Sequence, residues 1–244
     1  METIKKKIVA FTGAGISKES GVSTFRDTKD GLWNNHKIED VATIQGWRKD
    51  RAMVLEFYNV LRRQMPEVFP NDAHKGLALL EKDFDVQVIT QNVDDLHERG
   101  GSTKIIHLHG ELTKARGCLY DNKVSPADTI IDIGYKDLEI GHKCPTTGSQ
   151  LRPHIVWFGE YPFGVTEAYK AVADADILLV IGTSLQISYT LDLLNQVKRD
   201  SKIIYIDPKP MHYLDKYGLS VEYVEIGAVE GVTEIVNKIL NNEI

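Results

Sequence analysis

Thr12-Gly-Ala-Gly-Ile-Ser17 places Gly13, Ala14 and Gly15 directly after an apolar run. Glycines there let a backbone approach a diphosphate, and the start of a following helix offers unpaired N–H donors. The six-position glycine fingerprint is incomplete, because Lys18 holds its last place, and no acidic residue closes the second apolar run to grip a ribose. Taken alone, a tight turn that needs glycine only for packing accounts for the segment equally well.

Three further segments bring reactive groups to equivalent places. Thr90-Gln91-Asn92-Val-Asp94-Asp95 and Leu108-His109-Gly110 each sit just past an apolar run. Asn92 has the groups to hold a carboxamide or hydroxyl, and Asp94 can stabilise developing positive charge. The imidazole of His109 titrates in the range needed for proton transfer near neutrality. A lone histidine is more often a hydrogen-bonded structural residue, and the strand-end position beside Gly110 raises the odds of chemistry. Gly182-Thr183-Ser184 adds a small-residue turn whose hydroxyls and N–H groups suit phosphate or ribose, with an ordinary strand exit as the plain alternative.

The elements that must position these residues are visible as β-branched runs: Lys7–Thr12, Val86–Thr90, Lys104–His109, His154–Phe158, Ile177–Ile181 and Lys202–Ile206. Continuous apolarity suits strands buried on both faces, and the helical periods between them predict a doubly wound parallel α/β sheet. One such helix is expected over Arg51–Met65, with Val54, Tyr58, Leu61 and Met65 on one face and Pro66 ending it. Two stretches, about 27–75 with Trp33 and Trp47 and about 111–151 with both cysteines, are too long for crossovers. They are expected to pack as a small lobe over the carboxyl ends of the strands, leaving the large part at about 1–26, 76–110 and 152–244.

The 244 residues carry 29 Lys and Arg against 35 Asp and Glu, a net charge of −6, with 42% hydrophobic and 26% charged residues. These values suit one globular domain of this length and argue against disorder and against a nucleic-acid backbone as main partner. The longest clean apolar run, Ile177–Ile181, is too short to cross a membrane, and no signal-peptide core follows Met1. A cytoplasmic protein is expected, with the two cysteines as thiols.

Gly13-Ala-Gly-Ile-Ser-Lys-Glu-Ser-Gly-Val-Ser-Thr-Phe-Arg26, Thr90-Gln-Asn-Val-Asp94, His109-Gly110, Val156-Trp-Phe-Gly-Glu160 and Gly182-Thr-Ser-Leu185 together, in that order, resemble the signature set of the sirtuins. Those are NAD-dependent protein lysine deacylases. The resemblance spans nearly the whole chain and implies a Rossmann-like large part, a small lobe, and NAD in the cleft between them. It implies that Gly13, Ala14, Gly15, Phe25 and Arg26 line the loop over NAD, and that Gln91, Asn92 and Asp94 surround the nicotinamide and its ribose. Gly182, Thr183, Ser184, Asp207 and Ala228 would then lie on the diphosphate and adenosine side, with Asp207 in place of the more usual Asn. His109 would take a proton from a ribose hydroxyl while the substrate amide oxygen attacks the carbon bearing nicotinamide. An extended acyl-lysine segment of a protein would pair with Gly159-Glu160 and Leu185-Gln-Ile187, its lysine stem flanked by Val156 and Phe158.

The sequence departs from the family pattern twice. The usual two Cys-x-x-Cys pairs of a structural zinc are reduced to Cys118 with Asp121 and Cys144 with Thr147, and His142 is the nearest spare ligand. Zinc wants four ligands, so its absence is expected. The Tyr-x-x-Arg of family members that remove succinyl groups becomes Tyr58-Asn-Val-Leu61, with Arg62 rotated by about 100° around the helix. That loss predicts a preference for neutral acyl groups. Two other functions use the same cleft: ADP-ribosyl transfer or NAD hydrolysis, and a non-catalytic NAD or ADP-ribose sensor.

Overall fold

The structure is a computed structural model that describes residues 5–22, 37–118, 129–212 and 214–244. Phe25, Arg26, Trp33 and Asp121 lie outside the described residues. The strands are β1 (Lys7–Thr12), β2 (Asp85–Thr90), β3 (Ile105–His107), β4 (Gly110–Gly117), β5 (Ile130–Asp132), β6 (Leu151–Ile155), β7 (Ile177–Ile181), β8 (Lys202–Ile206) and β9 (Val221–Val224). The helices are α1 (Gly15–Lys18), α2 (Ile38–Val41), α3 (Ile44–Lys49), α4 (Arg51–Gln64), α5 (Asp72–Leu80), α6 (Leu96–Gly100), α7 (Val165–Asp174), α8 (Ser188–Leu194) and α9 (Ala228–Leu240).

Alternate residues of the central strands enter two different cores. Ile8 and Ala10 of β1, Leu179 and Ile181 of β7, and Ile204 and Ile206 of β8 pack with α5 and α9. Val9, Phe11, Leu178, Val180, Ile203 and Tyr205 pack with α7 and α8 on the opposite face. Period-two alternation into two apolar layers is why these runs read as continuously hydrophobic. The resulting sheet is parallel throughout, in the order β3-β2-β1-β7-β8-β9. Strand order reverses between β1 and β7, the place where an open α/β sheet leaves a crevice. Among the described residues no helix is long and apolar enough to cross a membrane.

A second sheet, β5-β4-β6, is antiparallel and packs with α2, α3 and α4 around Trp47, Phe57, Tyr58, Met65 and Trp157. The expected strand over His154–Phe158 lies elsewhere: the strand is Leu151–Ile155, and it pairs with β4 in this small sheet. Its burial is hidden in sequence because Arg152, 1% exposed, is neutralised by Glu160 at 2.6 Å and lies 3.3 Å from the centroid of Trp157. The expected Lys104–His109 strand stops at His107, where Leu108 N–H turns back to Thr90 O at 2.9 Å. β4 and β9 escape sequence analysis because both alternate polar with apolar residues in short runs. Helix α4 ends at Gln64, before a 3-10 turn over Met65–Glu67 that contains Pro66, and its buried face holds Arg62 while Leu61 is half-buried.

Gly110 has φ +85°, and a Cβ there would fall 1.9 Å from His154 O, so the turn entering β4 admits no side chain. Gly110→Ala is expected to destabilise the protein by about 3 kcal/mol or more in urea unfolding. Gly134→Ala, at φ +54° with open space around it, should cost only about 1 kcal/mol. Equal losses at the two positions would contradict the packing argument.

Candidate active site

Parallel register sets Thr12 beside Thr90 and Ile181, so the residues that follow β1, β2 and β7 emerge side by side. The first and third of these exits touch. Gly13 N–H donates to Ile181 O at 2.9 Å and Gly15 N–H to Gly182 O at 2.8 Å. A Cβ on Gly15 would lie 2.6 Å from Gly182 Cα, and Gly182 itself sits at φ +58°. Glycine is therefore required for backbone packing, and that packing forms one wall of the crevice.

Below it lies a buried polar network. Ser17 Oγ donates to Asp94 Oδ2 at 3.0 Å and accepts from Asn92 Nδ2 at 3.1 Å, and all three residues are buried. Asn71 caps α5 through its side chain and donates its backbone N–H to His74 Nδ1 at 3.3 Å. The same Nδ1 lies 3.0 Å from Asn71 Oδ1, and Nε2 faces Ser17 Oγ at 3.4 Å. Burial lowers His74 to about 4 and raises Asp94 to about 6, the latter held back by hydrogen bonds from Leu96 N–H and Ser17. His97 is wholly buried, 3.0 Å from Thr12 Oγ1, and meets the His74 ring edge to face.

His109 projects from the turn between β3 and β4. Its Nδ1 donates to Gln91 O at 2.9 Å, which leaves Nε2 as the acceptor, and Tyr189 Oη approaches that atom to 2.7 Å. Burial lowers its pKa, partly opposed by the Gln91 carbonyl. Gln91 also accepts at Oε1 from Thr183 Oγ1 at 2.7 Å. The network therefore brings Gly13, Gly15, Gln91, Asn92, Asp94, His109, Gly182 and Thr183 to one crevice, with Ala14 and Ser184 in the same loops. Ser17 and His74 hold that set in place, although only Ser17 falls within a segment that stands out in sequence. Nothing in local sequence points to Tyr189, which lies 80 residues beyond His109.

Asp207 follows β8 and Ala228 opens α9. Asp207 Oδ1 accepts from Lys209 N–H at 2.8 Å. The Glu160 carboxylate turns inward: it accepts from Arg152, from Arg116 and from Trp157 N–H at 2.8 Å. Val156 N–H donates to His109 O, whereas the Phe158 ring is 57% exposed next to Gly159 at φ +89°. Leu185 takes φ +51°. Tyr58 is buried, its hydroxyl accepting from Trp157 Nε1 at 2.9 Å. Arg62 donates to Leu112 O at 2.7 Å and Asn59 Oδ1 at 2.6 Å, tying α4 to β4.

Among the described residues, Glu98, His107 and Glu111 are the group whose ligand atoms converge closely enough for a metal. Its charges are already balanced, because His107 pairs with Glu98 at 2.7 Å and Lys114 with Glu111 at 2.8 Å. Cys118 N–H and the Cys144 backbone both bond to Ser149, at 3.0 and 2.8 Å. Burial raises the Cys144 thiol, but hydrogen bonds from Thr147 and from the backbone of Thr129, Thr147 and Thr146 outweigh it and bring it to about 7.

A parallel sheet with a polar crevice at its switch point, joined to a small antiparallel sheet, defines a Rossmann-like α/β protein with an added lobe. The chain matches the model of the Sir2 family over residues 13–189. An NAD-dependent protein deacylase of Helicobacter pylori is 46% identical over 236 residues, covering 96% of this chain and 98% of that protein. Another from Bacteroides thetaiotaomicron is 47% identical over 232 residues, covering 94% and 96%. Among solved structures, a Sir2 homologue in complex with NAD superposes with a TM-score of 0.80 at 35% identity, covering 98% of this chain and 91% of that one. A Sir2 protein holding a deacetylated peptide and 3′-O-acetyl ADP-ribose gives 0.73 at 25% identity, covering 96% and 94%. The chain belongs to the Sir2 family, and it is an enzyme.

The folded pKa of His74, about 4, lies below its unfolded value of 6.5. Between those values the unfolded chain binds a proton that the folded one refuses, so stability falls as pH falls. From pH 7 to pH 5 the wild type should lose about 2 kcal/mol more than His74→Gln in urea unfolding. Parallel losses would mean that His74 is not the neutral, buried group described.

Proposed function

We propose that this enzyme removes acyl groups from lysine side chains of proteins while consuming NAD, releasing free lysine, nicotinamide and O-acyl-ADP-ribose. The observation that carries this reading is the state of His109: its Nδ1 proton is given to Gln91 O, which leaves Nε2 as a proton acceptor, on the chain that also carries Asn92 and Asp94 just past Gln91. NAD supplies a glycosidic bond with a good leaving group, and the protein supplies alignment. The residues that would hold it are Gly13, Ala14, Gly15, Phe25 and Arg26 at the first loop, and Gln91, Asn92 and Asp94 near the nicotinamide ribose. Gly182, Thr183, Ser184, Asp207 and Ala228 would take the adenosine side. They fit the group, since the loops lack side-chain bulk while amides, hydroxyls and one carboxylate converge there. His109 Nε2 would accept a ribose hydroxyl proton, and the Gln91 carbonyl would keep the ring in the tautomer that can do so.

The protein substrate would lie as an extended segment between Gly159-Glu160 and Leu185-Gln-Ile187, in a cleft between the large part and the lobe that comprises about 27–75 and 111–151. The exposed ring of Phe158 and the 39% exposed Ile187 support that placement. Val156 would flank the lysine stem, with Tyr58 behind it. Neutral acyl groups, acetyl or longer, would be favoured over succinyl: Leu61 replaces a carboxylate-pairing arginine, Arg62 is held by Leu112 O, and Arg63 pairs with Glu56 and Asp137. The lobe would need no zinc. Two thiols remain, Thr147 stands where a third would be, and its side chain serves Cys144 as a hydrogen-bond partner.

Mass spectrometry of protein, NAD and an acetyl-lysine peptide should show deacetylated peptide, nicotinamide and O-acetyl-ADP-ribose in equal amounts. A succinyl peptide should give a lower kcat/KM by about tenfold or more, the scale of one lost charge-assisted hydrogen bond. His109→Ala should abolish turnover while NAD still binds; nicotinamide release without peptide loss would favour NAD hydrolysis or ADP-ribosyl transfer instead. Treatment with a zinc chelator and gel filtration should leave turnover and Tm unchanged, and a loss of either would restore a metal to the lobe.

A further inference from the structure

His109, Gln91, Thr183 and Tyr189 close a ring of polar contacts drawn from four different segments. Thr183 Oγ1 donates to Gln91 Oε1 at 2.7 Å, so the amide nitrogen of Gln91 is the end left for the Tyr189 phenol, which it also reaches. Because Gln91 O can only accept, His109 Nδ1 carries the proton and Nε2 the lone pair. Tyr189 Oη, 2.7 Å from Nε2, is therefore the donor. The two rings stand edge to face, their centroids 6.2 Å apart, and the Tyr189 ring is packed against the core beneath α7 and α8. Burial raises the phenol to about 12, which keeps its proton in place at neutral pH.

An imidazole Nε2 has one in-plane lone pair and accepts one strong hydrogen bond. That atom is the one to which the proposed reaction assigns the ribose proton, yet here it is filled by a phenol. We propose that Tyr189 is a positioning residue for His109: its hydroxyl caps Nε2 until NAD binds, fixes the acceptor tautomer, and yields its place to the ribose hydroxyl. The inference rests on His109 being the base. Exchange of one O–H donor for another costs little, while the cap keeps the imidazole neutral in the resting enzyme. Burial and the Gln91 carbonyl are the other influences on His109, and no charged side chain contributes to its shift.

The test uses full-length protein with ¹⁵N-labelled histidine, followed by NMR through a pH titration. Tyr189→Phe should raise the His109 pKa by about 0.3–1 unit, which is the removal of a hydrogen bond worth about 2–10-fold. The acidic limb of kcat/KM should move up with it, and KM for NAD should fall by about 2–10-fold, with the change in KM rather than kcat. A merely structural tyrosine would lower kcat and Tm and leave the His109 titration where it was, and that result overturns the proposal. In wild-type protein labelled with ¹³C at tyrosine Cζ, saturating ADP-ribose should shift the Tyr189 resonance; an unmoved resonance overturns the exchange without needing any variant. A His109→Ala enzyme that still turned over would remove the base assignment, whereas an unchanged His109 titration in Tyr189→Phe would remove the cap, so the two failures are separable.

Discussion

The backbones leaving β1 and β7 touch, and the rest of the crevice is referenced to that contact. Gly15 N–H reaches Gly182 O, and neither residue leaves room for a Cβ. Strand order reverses at this pair, so the chain leaves β1 and β7 toward opposite faces of a continuous sheet, and the two exits meet through main chain alone. Holding two exits that close fixes where Ala14, Thr183 and Ser184 can lie. It also sets Thr183 against Gln91, and through Gln91 it reaches His109. Small residues in these loops are thus explained by backbone contact first, and ligand access follows from the same geometry.

Beneath that contact the protein buries an unusual amount of polar material. Ser17, Asn92, Asp94, His74 and His97 lie together with little access to water. Such a group is tolerable only when its members satisfy one another, because an unpaired polar atom in a low-dielectric interior is costly. Ser17 does most of this, giving its proton to Asp94 and taking one from Asn92. His97 Nδ1 is left without a partner among the described residues, but Ser17, Asn92 and Asp94 satisfy one another, and that leaves Asn92 and Asp94 few alternative positions.

The large sheet was legible because its central strands face apolar layers on both sides: Lys7–Thr12, Ile177–Ile181 and Lys202–Ile206 are observed with the expected bounds. Asn92, Asp94 and His109 stood out because strand ends converge in a parallel sheet, and local sequence marks where a strand ends. The small sheet was illegible for the opposite reason. β6 reads Leu-Arg-Pro-His-Ile, and Arg152 can be buried only through Glu160 and Trp157, a partnership no local pattern announces. The same holds for Arg62, whose burial depends on carbonyls from β4 and beyond, and for Tyr189, which meets His109 only once the sheet has closed.

β1 lies in the interior of the large sheet between β2 and β7, although it comes first in the chain. During synthesis its pairing with β2, and that of β2 with β3, can form early, but the β7 side stays open until most of the polypeptide has left the ribosome. Lys7-Ile-Val-Ala-Phe-Thr12 would meanwhile present an apolar strand with unpaired backbone groups, a template for another chain. Sequence-distant pairing of this sort slows folding and lengthens exposure to aggregation. The glycine contact that shapes the crevice is thus among the last to form, so the nascent protein carries its most association-prone edge for as long as it lacks a working site.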